Sequence, residues 1–213
     1  MAGTSGKFAG KFIVLDGPDG AGKSTQLKLL AEHLAQQGAS VCLTRDPGGT
    51  AIGDRIRKIL LDNAHDDMSP QCEMMLYMAS RAQLAAQVIR PALSAGQCVL
   101  CDRYVSSTIA YQGAAGVDVQ AIRQAAQVAV AQTWPDLTVI LNLPAEEGLQ
   151  RLKGAPDRME SKALAFHRKV RELFLRQAAE APTSFAVIDA AGTIQQVQQR
   201  LRQAVDSWEF RKR

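Results

Sequence analysis

An apolar run, Phe12-Ile13-Val14-Leu15, passes directly into Asp16-Gly17-Pro18-Asp19-Gly20-Ala21-Gly22-Lys23-Ser24-Thr25, and this junction constrains the chain more than any other stretch. It contains Gly17-x-x-x-x-Gly22-Lys23-Ser24, the P-loop pattern, in the setting that pattern requires: a buried strand, a tight glycine turn, then a helix N-terminus. Gly17, Gly20 and Gly22 let the backbone turn its N–H groups onto an anion, and the dipole of the helix starting near Lys23 acts on the same point. In such a loop, residues 17–25 wrap the phosphates, from Gly17, Pro18, Asp19, Gly20, Ala21 and Gly22 to Lys23, Ser24 and Thr25. The Lys23 ammonium reaches the β- and γ-phosphates, and the Ser24 hydroxyl sits on Mg²⁺. A glycine turn that binds nothing would not need all three fixed positions in this context. The motif predicts binding of a nucleoside triphosphate.

Four more apolar runs, at 41–44, 99–101, 137–143 and 185–189, join the first one at 11–15 and alternate with helical patterns. That alternation predicts an α/β protein with a parallel sheet covered on both faces, here a five-stranded P-loop NTPase fold. Ser69-Pro70 marks a helix start, and the helical pattern runs on to 95 with Pro91 as a kink or boundary. Asp118 caps a helix through 131, residues 106–112 form a helical turn before Gly113, and 193–210 closes the chain as a helix. No repeat or long linker divides residues 1–213, so one domain is expected, with 1–10 disordered.

The formal net charge of +4 is accounted for by Lys7, Arg211, Lys212 and Arg213 at the ends; elsewhere 21 basic residues balance 21 acidic ones. A basic stripe for nucleic acid is therefore not indicated. Cys42, Cys72, Cys98 and Cys101 lie in apolar runs and read as small core residues. The Cys98-x-x-Cys101 spacing on a strand sends the two thiols to opposite faces, which argues against a redox or zinc pair. With no signal peptide and no long apolar span, a cytoplasmic, reduced protein with no membrane partner is expected.

P-loops serve several chemistries, and the third strand helps to choose among them. It ends in Asp102-Arg103-Tyr104, placing a carboxylate suited to organise Mg²⁺ beside a guanidinium at the ligand-binding edge of the sheet. A purely structural Asp–Arg pair is the alternative.

With Thr44-Arg-Asp-Pro-Gly-Gly-Thr50 and Thr108-Ile-Ala-Tyr-Gln-Gly113 added to the P-loop and Asp102-Arg-Tyr104, the chain resembles the thymidylate kinase family over residues 11–205. The resemblance implies transfer of the γ-phosphoryl group of ATP to the 5′-phosphate of dTMP, with Mg²⁺ as cofactor and a homodimer as the usual assembly. It implies that Asp19 lies near the acceptor sugar, that Arg57 and Arg103 hold the acceptor phosphate, and that Asp46 lines the same site. It further implies that Tyr77 stacks on thymine, that Arg81 reads its carbonyl edge, and that Thr108, Tyr111 and Gln112 close the pocket. From periodicity alone, Tyr77 reads as core packing and Arg81 as a solvated helix face.

Three departures from the family pattern stand out. Gly20 occupies a position where some members carry a catalytic arginine, and Ala114-Ala-Gly116 replaces a glycine–arginine stretch. The short lid at about 151–160 holds only two arginines, of which Arg158 is the first candidate to supply the missing charge and Arg151 the second, with contact to ATP as the other role open to Arg151. No general base is expected, because a phosphate monoester with a second pKa of about 6 is already largely dianionic at neutral pH. The competing readings are a kinase for another pyrimidine monophosphate, a GTPase switch, and a nucleic-acid-dependent ATPase. The second lacks an Asn-Lys-x-Asp guanine reader, and the balanced charge argues against the third.

Overall fold

A computed structural model describes residues 6–152 and 154–210. Its five strands are β1 (Phe12–Asp16), β2 (Val41–Arg45), β3 (Cys98–Asp102), β4 (Leu137–Asn142) and β5 (Phe185–Asp189). They form one all-parallel sheet in the order β2-β3-β1-β4-β5, which puts β1 at the centre. Every residue of β1 is buried, as a parallel strand covered on both faces should be. Ile13 and Leu15 face one layer, with Leu27, Leu30 and Leu34 of α1 (Lys23–Gln36) and Val197, Leu201 and Val205 of α9 (Ile194–Ser207). Phe12 and Val14 face the other, packed with α3 (Pro70–Leu84), α5 (Val105–Ala114) and α6 (Val119–Val130). The period-two alternation of one strand thus supplies both cores. The remaining helices are α2 (Ala51–Leu61), α4 (Arg90–Ser94), α7 (Ala145–Arg151) and α8 (Leu164–Glu180).

Helix starts follow local chemistry. Ser69 Oγ accepts from Cys72 N with Pro70 in the first turn, Asp118 accepts from Ala121 N, and Thr193 forms a capping box with Gln196. The helix at α5 is longer than the expected turn, because Gly113 lies within it rather than ending it. The run from 70 is helical to Ser94, but it is interrupted by a π-helical segment at Ala85–Ile89. Pro91 lies just beyond, and the widened turn makes room for a ring that would otherwise press on the preceding turn.

Two expectations need correction. Residues 7–10 form a turn rather than a disordered lead-in, with Phe8 buried and its ring edge-on to Phe210 at 5.9 Å; residues 1–5 lie outside the described residues. Of the four cysteines, Cys98 and Cys101 are buried, on opposite sides of the sheet, whereas Cys72 is exposed and Cys42 only partly covered. Burial pushes the Cys98 thiol up to about 12, so it is inert at neutral pH. Among the described residues no helix is long and apolar enough to cross a membrane.

Candidate active site

The carboxyl edge of the sheet carries the site. Between β1 and α1 the chain passes through Gly17, Gly20 and Gly22, all at positive φ. A side chain is excluded at two of them: a Cβ on Gly17 would lie 2.5 Å from the Leu141 carbonyl oxygen, and one on Gly20 only 1.9 Å from that of Gly148. Gly148, on α7, is equally constrained, since its own Cβ would fall 2.3 Å from Asp19 O. The missing arginine at position 20 therefore has a packing cause: two backbones meet there, and only glycine fits on either side.

α1 starts at Gly22 with no side-chain cap, which leaves its first amides open to an anion. Lys23 Nζ donates to the carbonyls of Gly17 (3.1 Å) and Pro18 (2.7 Å) and is held over the loop. Burial, reinforced by Arg103, lowers its pKa to about 8. Ser24 Oγ donates to Asp102 Oδ2 at 2.5 Å, joining the two groups expected to hold a metal. Among the described residues no cluster of three or more His, Cys, Asp or Glu could hold a metal ion. A hydroxyl and one carboxylate suit Mg²⁺, which keeps water and phosphate in most of its coordination positions.

Beside the P-loop opens a cavity of about 300 Å³, lined from the loop by Asp19, Gly20, Lys23 and Ser24. Its other walls bring together Asp46, Arg57, Tyr77, Arg81, Asp102, Arg103, Thr108, Tyr111 and Gln112, so every residue expected at the acceptor lies in one place. Arg103 joins the two halves. Its Nη2 donates to Asp19 Oδ1 (2.5 Å) and Tyr111 Oη (3.3 Å), and its Nη1 to Gly17 O (3.1 Å) and Ser107 Oγ (2.9 Å). Holding it there requires φ +70° at a non-glycine residue, a strained conformation typical of functional positions. Burial pulls the Asp19 carboxyl upward, but Arg103, Lys23 and the Tyr111 hydroxyl outweigh it and hold it below the usual range. The Arg57 guanidinium is shifted down, first by burial and then by Arg45 and Arg103. Crowded cations of this kind mark a place for an anion.

Tyr77 is a half-buried cavity wall rather than core. Arg81 is the reverse of a solvated side chain at 1% exposure. Its Nε donates to Asp46 Oδ2 at 2.5 Å, and its Nη2 donates to Tyr104 O (3.2 Å) and Thr108 Oγ1 (2.9 Å). Burial pushes the Asp46 carboxyl up against the pull of Arg81. Its second oxygen, Oδ1, is buried with no hydrogen-bond partner among the described residues.

The lid departs from expectation. Arg158 does not line the cavity; it is 4% exposed, its Nε donates to Leu60 O at 2.9 Å, and its guanidinium pairs with Glu73. Arg151 is exposed, reaching Ala190 O (3.3 Å) just past β5. Leu152, Asp157, Met159 and Glu160 are the segment's cavity-facing residues, and Lys153 lies outside the described residues. Sequence reasoning missed Asp16, Glu73 and Ser107. Asp16 ends β1 and accepts from Ser106 Oγ (2.6 Å) and Ser107 Oγ (2.7 Å), and only its place at a strand end could have signalled it.

This fold and site define a P-loop nucleotide-binding protein with a polar cavity running on from its phosphate loop. The sequence model of thymidylate kinase matches residues 15–201, and the chain belongs to the thymidylate kinase family. It is 47% identical over 194 residues to a thymidylate kinase of Ectopseudomonas mendocina, covering 90% of this chain and 92% of that one. To the thymidylate kinase of Deinococcus radiodurans it is 48% identical over 184 residues, covering 85% and 89%. The crystal structure of thymidylate kinase from Ehrlichia chaffeensis superposes with a TM-score of 0.78 at 30% identity, covering 93% of this chain and 99% of that one.

Proposed function

We propose that this chain transfers the γ-phosphoryl group of ATP to the 5′-phosphate of dTMP, yielding dTDP and ADP. The observation that carries the reading is the continuity of one cavity from Lys23 and Ser24 to Tyr77, Arg81 and Gln112, in which a donor phosphate at one end would meet a base-bearing acceptor at the other. An acceptor phosphate oxygen attacks the γ-phosphorus while the bond to the bridging β,γ-oxygen breaks, and the electrons leave with ADP. The P-loop amides and Lys23 hold the donor phosphates, and Arg57 and Arg103 align the acceptor phosphate. Positioning and charge are most of what this chemistry needs. Ser24 and Asp102 would hold Mg²⁺, which when bound neutralises charge on the donor phosphates. The charge absent at Gly20 falls to Arg103, which touches both the P-loop and α5.

At the base, Tyr77 offers a ring face. Arg81 Nη1 meets only the Met78 thioether (3.2 Å) among the described residues, leaving donor capacity for a carbonyl of thymine. Arg151, beside Ala190, serves ATP rather than the acceptor. Two free cysteines buried as thiols suit a reducing, cytoplasmic setting. Exposed Ile52 and Ile59 on α2, Met75 on α3 and Val128 on α6 suit a second copy of the chain as partner. The test is ADP release with ATP and Mg²⁺ against dTMP, dUMP, dCMP, UMP and CMP. Turnover with dTMP at the highest kcat/KM is expected, and preference for a cytosine nucleotide would defeat the reading.

A further inference from the structure

Glu73 lies one helical turn before Tyr77 on α3 and is 3% exposed. Its Oε1 accepts from Gln112 Nε2 at 2.6 Å, and its Oε2 pairs with the Arg158 guanidinium. Gln112 is fully buried and lines the cavity, yet its Oε1 has no hydrogen-bond partner among the described residues. These facts have one chemical cause. A primary amide has a donating and an accepting end, whereas an ionised carboxylate only accepts. By taking the amide nitrogen of Gln112, Glu73 turns the amide oxygen away from itself, and that oxygen is left needing a donor. Arg158 supplies the counter-charge that a carboxylate at this depth requires. The segment bearing Arg158 is itself fastened to the end of α2 through Arg158 Nε to Leu60 O (2.9 Å) and to the helical turn just after it through Asn63 Nδ2 to Pro156 O (3.2 Å).

We propose that Glu73 is a positioning residue for base choice: it sets Gln112 to present a carbonyl oxygen to the acceptor base, and Arg158 locks that setting. Thymine and uracil carry an N–H at the ring position between their carbonyls and satisfy the oxygen. Cytosine has a bare acceptor nitrogen there and would leave two acceptors facing each other, the kind of mismatch by which buried polar groups reject an analogue. The inference rests on the dTMP kinase reading and assigns Arg158 to base discrimination rather than to phosphoryl transfer.

The experiment measures kcat/KM for dTMP and dCMP, with ATP KM and thermal stability, in the full chain and in Glu73→Gln and Glu73→Gln/Arg158→Met. A glutamine at 73 both donates and accepts, so the Gln112 amide is free to reverse. The double variant removes both charges, so no buried cation is left unpaired if the single variant folds poorly. The expected result is at least a tenfold fall in the dTMP/dCMP ratio in every folded variant, with ATP KM unchanged. A ratio within twofold of the unmodified chain, or equal losses for both acceptors, would overturn the role of Glu73. Failure of the unmodified chain to favour dTMP would instead overturn the dTMP kinase reading on which the inference rests.

Discussion

The proposed donor and acceptor sides of the cavity are built from different materials. On the donor side, a stretch of ten residues, 16–25, makes the site with its own backbone: glycines at positive φ, open helix amides, and Lys23 folded back on two carbonyls six and five residues earlier. On the acceptor side, α3, α5 and the loop after β2 contribute side chains from separate parts of the chain, locked to one another by buried ion pairs such as Arg81–Asp46 and Arg158–Glu73. A site made of local backbone tolerates loss of a side chain without structural damage. A site made of interlocked buried charges does not, because each partner removed leaves the other uncompensated.

The sharpest break in this comparison is Lys23→Ala. Turnover should fall by about 10³, the upper range for removing one donor from developing charge. Stability should not fall, because a lysine whose pKa is lowered on folding is itself a cost to the native state below pH 8. A melting temperature several degrees lower would show that Lys23 is structural after all.

On the acceptor side the order of effects reverses. Arg81→Ala and Arg158→Ala should each cost about 3–5 kcal/mol of stability, a buried carboxylate being stranded in both cases. Denaturant unfolding measures this directly. Arg158→Ala should keep kcat for dTMP within about tenfold, well short of the 10²–10³ expected of a group acting on the transferring phosphoryl. A kcat loss in that larger range without destabilisation would return Arg158 to the chemistry.

Smaller still is the pH effect. Lys23 is charged below about 8 in the unliganded protein, so kcat/KM for ATP should fall as pH rises through that value, about tenfold for each further unit. A profile flat to pH 10 would mean that the ammonium is not needed. The smallest effect belongs to Arg151→Ala. With its exposed side chain, one carbonyl contact at 3.3 Å and a surface pairing with Glu147 at 4.0 Å, it should raise the ATP KM only a few-fold, about 1 kcal/mol, and leave dTMP untouched. An equal rise in the dTMP KM would place Arg151 on the acceptor side of the comparison.

What could be read from the sequence follows the same division. The P-loop and the caps at Ser69 and Asp118 rest on interactions within a few residues, and the five strands announce themselves as apolar runs, so spacing and residue type were enough to find them. The meeting of Tyr77 and Arg81 with Asp19 in one cavity could be anticipated only through family resemblance, since periodicity alone assigned both side chains elsewhere. Two matters were settled by tertiary structure alone. Gly20 is forced by the approach of Gly148, 128 positions further along the chain. Arg158, which sequence position assigned to phosphate chemistry, is instead drawn into a buried pair with Glu73. Both depend on contacts between distant segments, where the direction of a side chain is decided by which partner offers the missing charge or space. A linear pattern carries no record of that choice.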